Sequence, residues 1–138
     1  MSFDEKLFKI EYYDKEGILT KLTQTKATAS LVAHLLEHIY RFKYYYEHPR
    51  KTKDGKEEER GKHYNKILFE TLFDLLEADD RVKKLRWGRR IEGCFQYWKS
   101  LNYIDYEIER KANQRGKSYD YILLKYPEAP EDTPKLSS

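Results

Sequence analysis

The stretch HLLEH, residues 34–38, puts His34 and His38 one helical turn apart with Glu37 beside them. Two imidazoles at that spacing can hold a divalent ion, and a neighbouring carboxylate can activate a water bound to it. A catalytic zinc needs a third protein ligand, and no later residue stands in a recognisable ligand setting; His48 and His63 merely flank a charged segment. Two histidines bordering the apolar face of a packed helix account for the pattern without a metal. No nucleophile triad, phosphate-cradling glycine loop or paired-carboxylate site accompanies it, so the expectation is a protein that is not an enzyme and needs no cofactor. Cys94 has no partner for an internal disulfide and falls in an apolar helical stripe, which reads as a buried thiol in a reducing compartment.

Charge distribution says more than net charge. The 27 Lys and Arg against 24 Asp and Glu leave only +3, yet residues 81–117 hold eleven basic side chains against four acidic ones. That stretch carries +7 and the remainder −4. Such asymmetry within a chain of single-domain length suggests a surface that faces a polyanion. No apolar run is long enough to span a membrane, and the first ten residues lack the basic start and apolar centre of a signal peptide. A cytoplasmic protein is expected.

The elements that must position these charges follow from periodicity. Alternation at Phe8, Ile10 and Tyr12, turn chemistry at Asp14-Lys15-Glu16-Gly17 and a second short run at 18–22 predict an N-terminal β-hairpin. From 28 to about 48, Leu31, Leu35, Ile39, Phe42 and Tyr46 recur at helical spacing, with Thr28 or Ser30 as the expected N-cap and Pro49 as the stop. Residues 49–63 are charge and glycine without an apolar anchor, which predicts an exposed mobile loop. The apolar run at 64–78 reads as a second helix, central to the core. A third helix runs to about 101, with Trp87, Ile91, Cys94, Phe95, Trp98 and Leu101 as its stripe. Its opposite face carries Arg89, Glu92, Gly93, Gln96, Lys99 and Ser100. Period-two alternation at 104–109 and again at 119–126, around RKANQRGKS, predicts a second hairpin with a basic tip. The proline-rich segment 127–138 is expected to be disordered, leaving residues 1–126 as one domain.

Three helices followed by a hairpin resemble the winged helix-turn-helix family, best in WGRRIEGCFQYWKSLNYIDYEIERKANQRGKSYDYILLKY, residues 87–126, and more loosely over 28–126. The fold implied is α+β and mainly helical: a winged helix of three core helices and a C-terminal β-hairpin wing, with the N-terminal hairpin as an addition. In that family the third helix enters the DNA major groove and the wing follows the neighbouring backbone. Independently of the resemblance, side-chain chemistry points to phosphate contacts from Lys83, Lys84, Arg86 and Arg90, base-edge contacts from Arg89, Gln96 and Lys99, and wing contacts from Arg110, Lys111, Asn113, Arg115 and Lys117. Gly93 would let the helix backbone approach the bases. Glu92 would repel phosphate unless it accepts from cytosine or pairs with Lys99.

The function expected is double-stranded DNA binding, as a transcriptional regulator or a replication-associated factor of microbial, plasmid or phage type. The alternative is an adaptor or inhibitor that docks on another protein of a nucleic-acid-processing complex, and a second copy of the chain is a further option as partner. No membrane is expected to be involved. Thirteen tyrosines add a minor theme: among basic residues, exposed rings can stack on unpaired bases, though more often they cover the edge of a small core.

Overall fold

Turn chemistry sets the N-terminal hairpin. In the computed structural model, which describes residues 3–113 and 116–128, Glu11–Tyr13 (β1) pairs antiparallel with Leu19–Lys21 (β2). The Asp14 carboxylate accepts from the backbone N–H of Glu16 and of Ile18, each at 2.9 Å, and Gly17 takes the positive φ that closes the turn. A short helix, Phe3–Phe8 (α1), precedes the hairpin. The alternation expected from Phe8 therefore begins one element too early: Phe8 ends this helix and is exposed, whereas Leu7 and Ile10 enter the core.

Helix α2, Lys26–Glu47, starts before the expected caps. Thr25 is the N-cap: its hydroxyl accepts from the Thr28 N–H at 3.1 Å, while the Thr28 hydroxyl accepts from the Thr25 N–H at 2.8 Å. This reciprocal pair satisfies two donors that a helix start otherwise leaves open. Leu31, Leu35, Ile39 and Phe42 then bury one face.

The charged segment after Pro49 is exposed over residues 50–57, as expected, and its backbone bonds to itself before it meets α2 again at Arg60 and Gly61. Glu58 N–H donates to Arg50 O at 2.8 Å, Thr52 N–H to Lys56 O at 2.7 Å, and the Arg60 guanidinium to Tyr46 O at 3.1 Å. Gly61 is buried against Phe42 and Tyr46 at positive φ, and the Tyr45 and Tyr64 rings stack at 5.5 Å.

The expected second helix at 64–78 is two elements. Lys66–Leu68 is a strand (β3), and only Phe69–Leu75 is helical (α3). Ile67 sits opposite Ile122 in the sheet, and a positive φ at Glu77 ends the helix within two turns. An unbroken apolar run satisfies a buried strand as well as a buried helix, so periodicity alone could not separate them. Nor is the whole run central: Ile67, Phe69, Leu72 and Phe73 are buried, whereas Leu68 and Leu75 are exposed.

Asp80 caps α4, Arg81–Ser100, by accepting from the Lys83 N–H at 2.8 Å. The predicted stripe packs inward, and the fully buried Trp98 donates its indole N–H to Leu7 O at 2.9 Å, which ties the N-terminal segment to the core. A positive φ at Asn102 turns the chain into β4, Asp105–Asn113, which pairs antiparallel with β5, Gly116–Lys125. The sheet order is β3-β5-β4, with Ile122 and Leu124 of the central strand facing the helices. The fold is α+β, with four helices and two small antiparallel sheets among the described residues. Among the described residues no helix is long and apolar enough to cross a membrane.

Candidate nucleic-acid interface

The site is built on α4, whose two halves differ. In the first half Arg81, Lys83, Lys84, Arg86 and Arg89 are exposed, and Arg90 is half-buried with its guanidinium 4.7 Å from the Trp87 ring centre. Lys83 pairs with Asp79 at 3.1 Å, an ion pair that raises its pKa. Arg81, Lys84, Arg86 and Arg89 make no ion pair with a described residue. Arg81, Arg86 and Arg89 fall on one side of the helix over about 12 Å of its length and form an anion-attracting surface, while Lys84 lies on the other side from Arg86.

The second half is partly covered: the β1–β2 hairpin lies on it at Gly93 and Gln96, while the Gln96, Lys99 and Ser100 side chains stay exposed. The Tyr12 ring covers Gly93 so closely that a Cβ there would sit 2.5 Å from it. Gln96 Oε1 accepts from the Tyr13 N–H at 2.8 Å. Gly93 therefore brings the hairpin close, and its backbone is not open to DNA. Of Gln96, an expected base reader, the carbonyl oxygen is engaged by the hairpin, while the exposed side chain keeps its amide N–H groups. Lys99, the third expected base reader, pairs with Asp105 at 3.1 Å.

The hairpin β4–β5 is fixed to the middle of the same helix. Glu92, which the sequence allowed to pair with Lys99, instead accepts from the Arg110 guanidinium and, at 2.5 Å, from the Tyr119 hydroxyl. Tyr119 also lies against Gly88, where a Cβ would collide with the ring. Arg110 sits 4.9 Å over that ring, and Lys111 reaches Asp120 at 3.8 Å. Two of the five expected wing contacts are thus engaged within the hairpin and its base. Asn113 and Lys117 take part in the strand ladder through their backbones, but their side chains, with Arg115, lie outside the described residues, as does 129–138 of the expected disordered tail.

Between the first hairpin and α4 runs a groove of about 590 Å³, walled by Tyr13 and Lys15 on one side and by Val82, Arg86 and Arg89 on the other. The hairpin residues of this wall did not figure among the expected site residues. A glycine in the middle of an otherwise regular helix was the available signal, since it marks close approach of another chain segment.

Of the histidine pair, His38 is engaged and His34 is exposed. One ring nitrogen of His38 lies 2.8 Å from Tyr64 O, and Glu37 binds Arg41 at 2.7 Å. Burial lowers the His38 pKa. Among the described residues no group of three or more His, Cys, Asp and Glu side chains is placed to hold a metal ion. Burial also pushes the Cys94 thiol up to about 12, which leaves it protonated and a poor nucleophile.

No protein-family model matches the chain, and neither a curated protein nor a solved structure matches it.

Proposed function

We propose that this chain is a winged-helix protein of the cytoplasm that binds double-stranded DNA through the first half of α4, as a regulator of transcription or a factor in replication. The observation that carries the reading is the group of exposed cations Arg81, Arg86 and Arg89, without an ion-pair partner among the described residues, on one side of a helix to which a β-hairpin is locked at Gly88 and Glu92. Helices α2, α3 and α4 followed by β4–β5 keep the order of a winged helix, and β3 joins the same sheet. Compared with the sequence expectation, base reading moves toward the N-terminus of the helix, to Arg86 and Arg89, because the turn around Gly93 is covered.

Titration of a random-sequence duplex at several salt concentrations tests this. Phosphate-driven affinity falls steeply with salt, and Arg86→Ala with Arg89→Ala should reduce the slope of log affinity against log salt by about 2 if both meet phosphate. A base-reading arginine would instead cost roughly 1–3 kcal/mol on a preferred site and much less on random DNA. Val82, 64% exposed beside these cations, favours the second reading, docking on an acidic protein surface. Absence of salt-sensitive duplex binding at low ionic strength would decide for it.

A further inference from the structure

We infer that the groove between the β1–β2 hairpin and α4 receives an unpaired nucleotide, at a strand end or gap next to the duplex; the inference rests on the DNA-binding reading of α4.

The charge balance inside the groove is the first reason. Both acidic side chains in its wall are already engaged: Asp14 accepts from the turn amides, and Glu92 from Arg110 and Tyr119. The cations Lys15, Arg86 and Arg89 have no ion-pair partner among the described residues. The groove thus offers unspent positive charge to a ligand and asks for an anion.

Aromatic surface is the second. Tyr13 is 61% exposed at the groove, while its backbone is held to α4 through Gln96. An exposed tyrosine on a fixed backbone, in a lining that also holds Arg86 and Arg89, suits a base stacked on tyrosine and a phosphate on arginine. Size is the third: about 590 Å³ lies within the ~300–1,000 Å³ of sites that enclose one small molecule and is too small for a duplex. The duplex proper would lie along the first turns of α4, and a neighbouring unpaired residue would turn into the groove.

Equilibrium binding by fluorescence anisotropy tests this with a blunt duplex, the same duplex carrying a short oligothymidine overhang, oligothymidine alone and a nucleoside monophosphate as competitor. The overhang should tighten binding at least about fivefold, the lower end of what one stacked base contributes. Tyr13→Ala should abolish that gain while leaving blunt-duplex affinity within about twofold, and Tyr13→Phe should keep it. Excess nucleoside monophosphate should erase the gain in the wild type. Equal affinity for blunt and overhanging duplexes, or a gain that survives Tyr13→Ala, overturns the inference. Binding of the monophosphate without any overhang effect overturns it too, in favour of a free-nucleotide site. If the blunt duplex fails to bind but oligothymidine binds in a Tyr13-dependent way, the groove stands and the duplex reading falls. If nothing binds, both fall.

Discussion

The first and second halves of α4 continue one helix with one apolar stripe, yet they meet different surroundings. From Arg81 to Arg89 the side away from the core is open and cationic. From Gly93 to Lys99 it is covered at Gly93 by Tyr12, hydrogen-bonded at Gln96 to the backbone of Tyr13, and neutralised at Lys99 by Asp105, with Gln96 and Lys99 still exposed. The difference comes from side-chain size. Gly93 removes the one Cβ that would keep the hairpin away, and the hairpin in turn is held by Leu7, Ile10 and the indole bond from Trp98. A helix can thus be a binding surface over one stretch and a core element over the next. Its exposure is decided by what packs on its far side, which a helical wheel does not contain.

The largest effect should come from cutting the tie that holds the cover on the second half. Trp98→Ala removes a fully buried ring and its hydrogen bond to Leu7 O, and should cost about 3–5 kcal/mol, measurable by urea unfolding. That is a large share of the stability of a domain this size. A loss below about 1 kcal/mol would mean that the N-terminal segment is not part of the core.

A smaller and more discriminating effect is expected at Gly93. On an open helix face, Gly93→Ala would stabilise by roughly 0.5–1 kcal/mol, because alanine is the better helix former. Under the Tyr12 ring it should destabilise by about 1–3 kcal/mol through overpacking. The sign separates the two cases. Adding Tyr12→Ala should recover part of the loss, and a double-mutant cycle would read the coupling directly.

Much of this architecture was legible and part of it was not, for identifiable reasons. The stripe from Trp87 to Leu101 and the alternation around Ile104 and Ile122 predicted α4 and the second hairpin, because each has one buried face and one periodicity. Ile67-Leu68-Phe69 carries no such contrast, so β3 merged into the helix that follows it. Six residues at 3–8 are too few to show a helical period. The cations of the candidate site were visible as charge, but not their pairing. Lys83, Lys99 and Lys111 each find a carboxylate, whereas Arg86 and Arg89 find none among the described residues, and only the fold brings Asp105 and Asp120 within reach.

The smallest effect, at Gln96, bears most directly on where the open half ends. If Gln96 read a base edge, Gln96→Ala would cost roughly 1–3 kcal/mol of affinity on a preferred site and leave stability alone. As the acceptor for the Tyr13 N–H, it should do the reverse. The substitution leaves that amide to water, since the position is exposed, so stability should fall by only about 0.5–1 kcal/mol, the low end for a hydrogen bond. Duplex affinity should stay within error of the wild type. Gln96→Glu keeps an acceptor at the same place and should restore stability, which a mere packing role of the side chain would not require. Arg89→Ala, two turns earlier, is the matched control: it has no described ion-pair partner to lose, so it should leave the unfolding midpoint unchanged and weaken binding. Should Gln96→Ala weaken duplex binding as much as Arg89→Ala does, the hairpin would have to move off α4 when DNA binds, and the boundary drawn at Gly93 would hold for the free protein only.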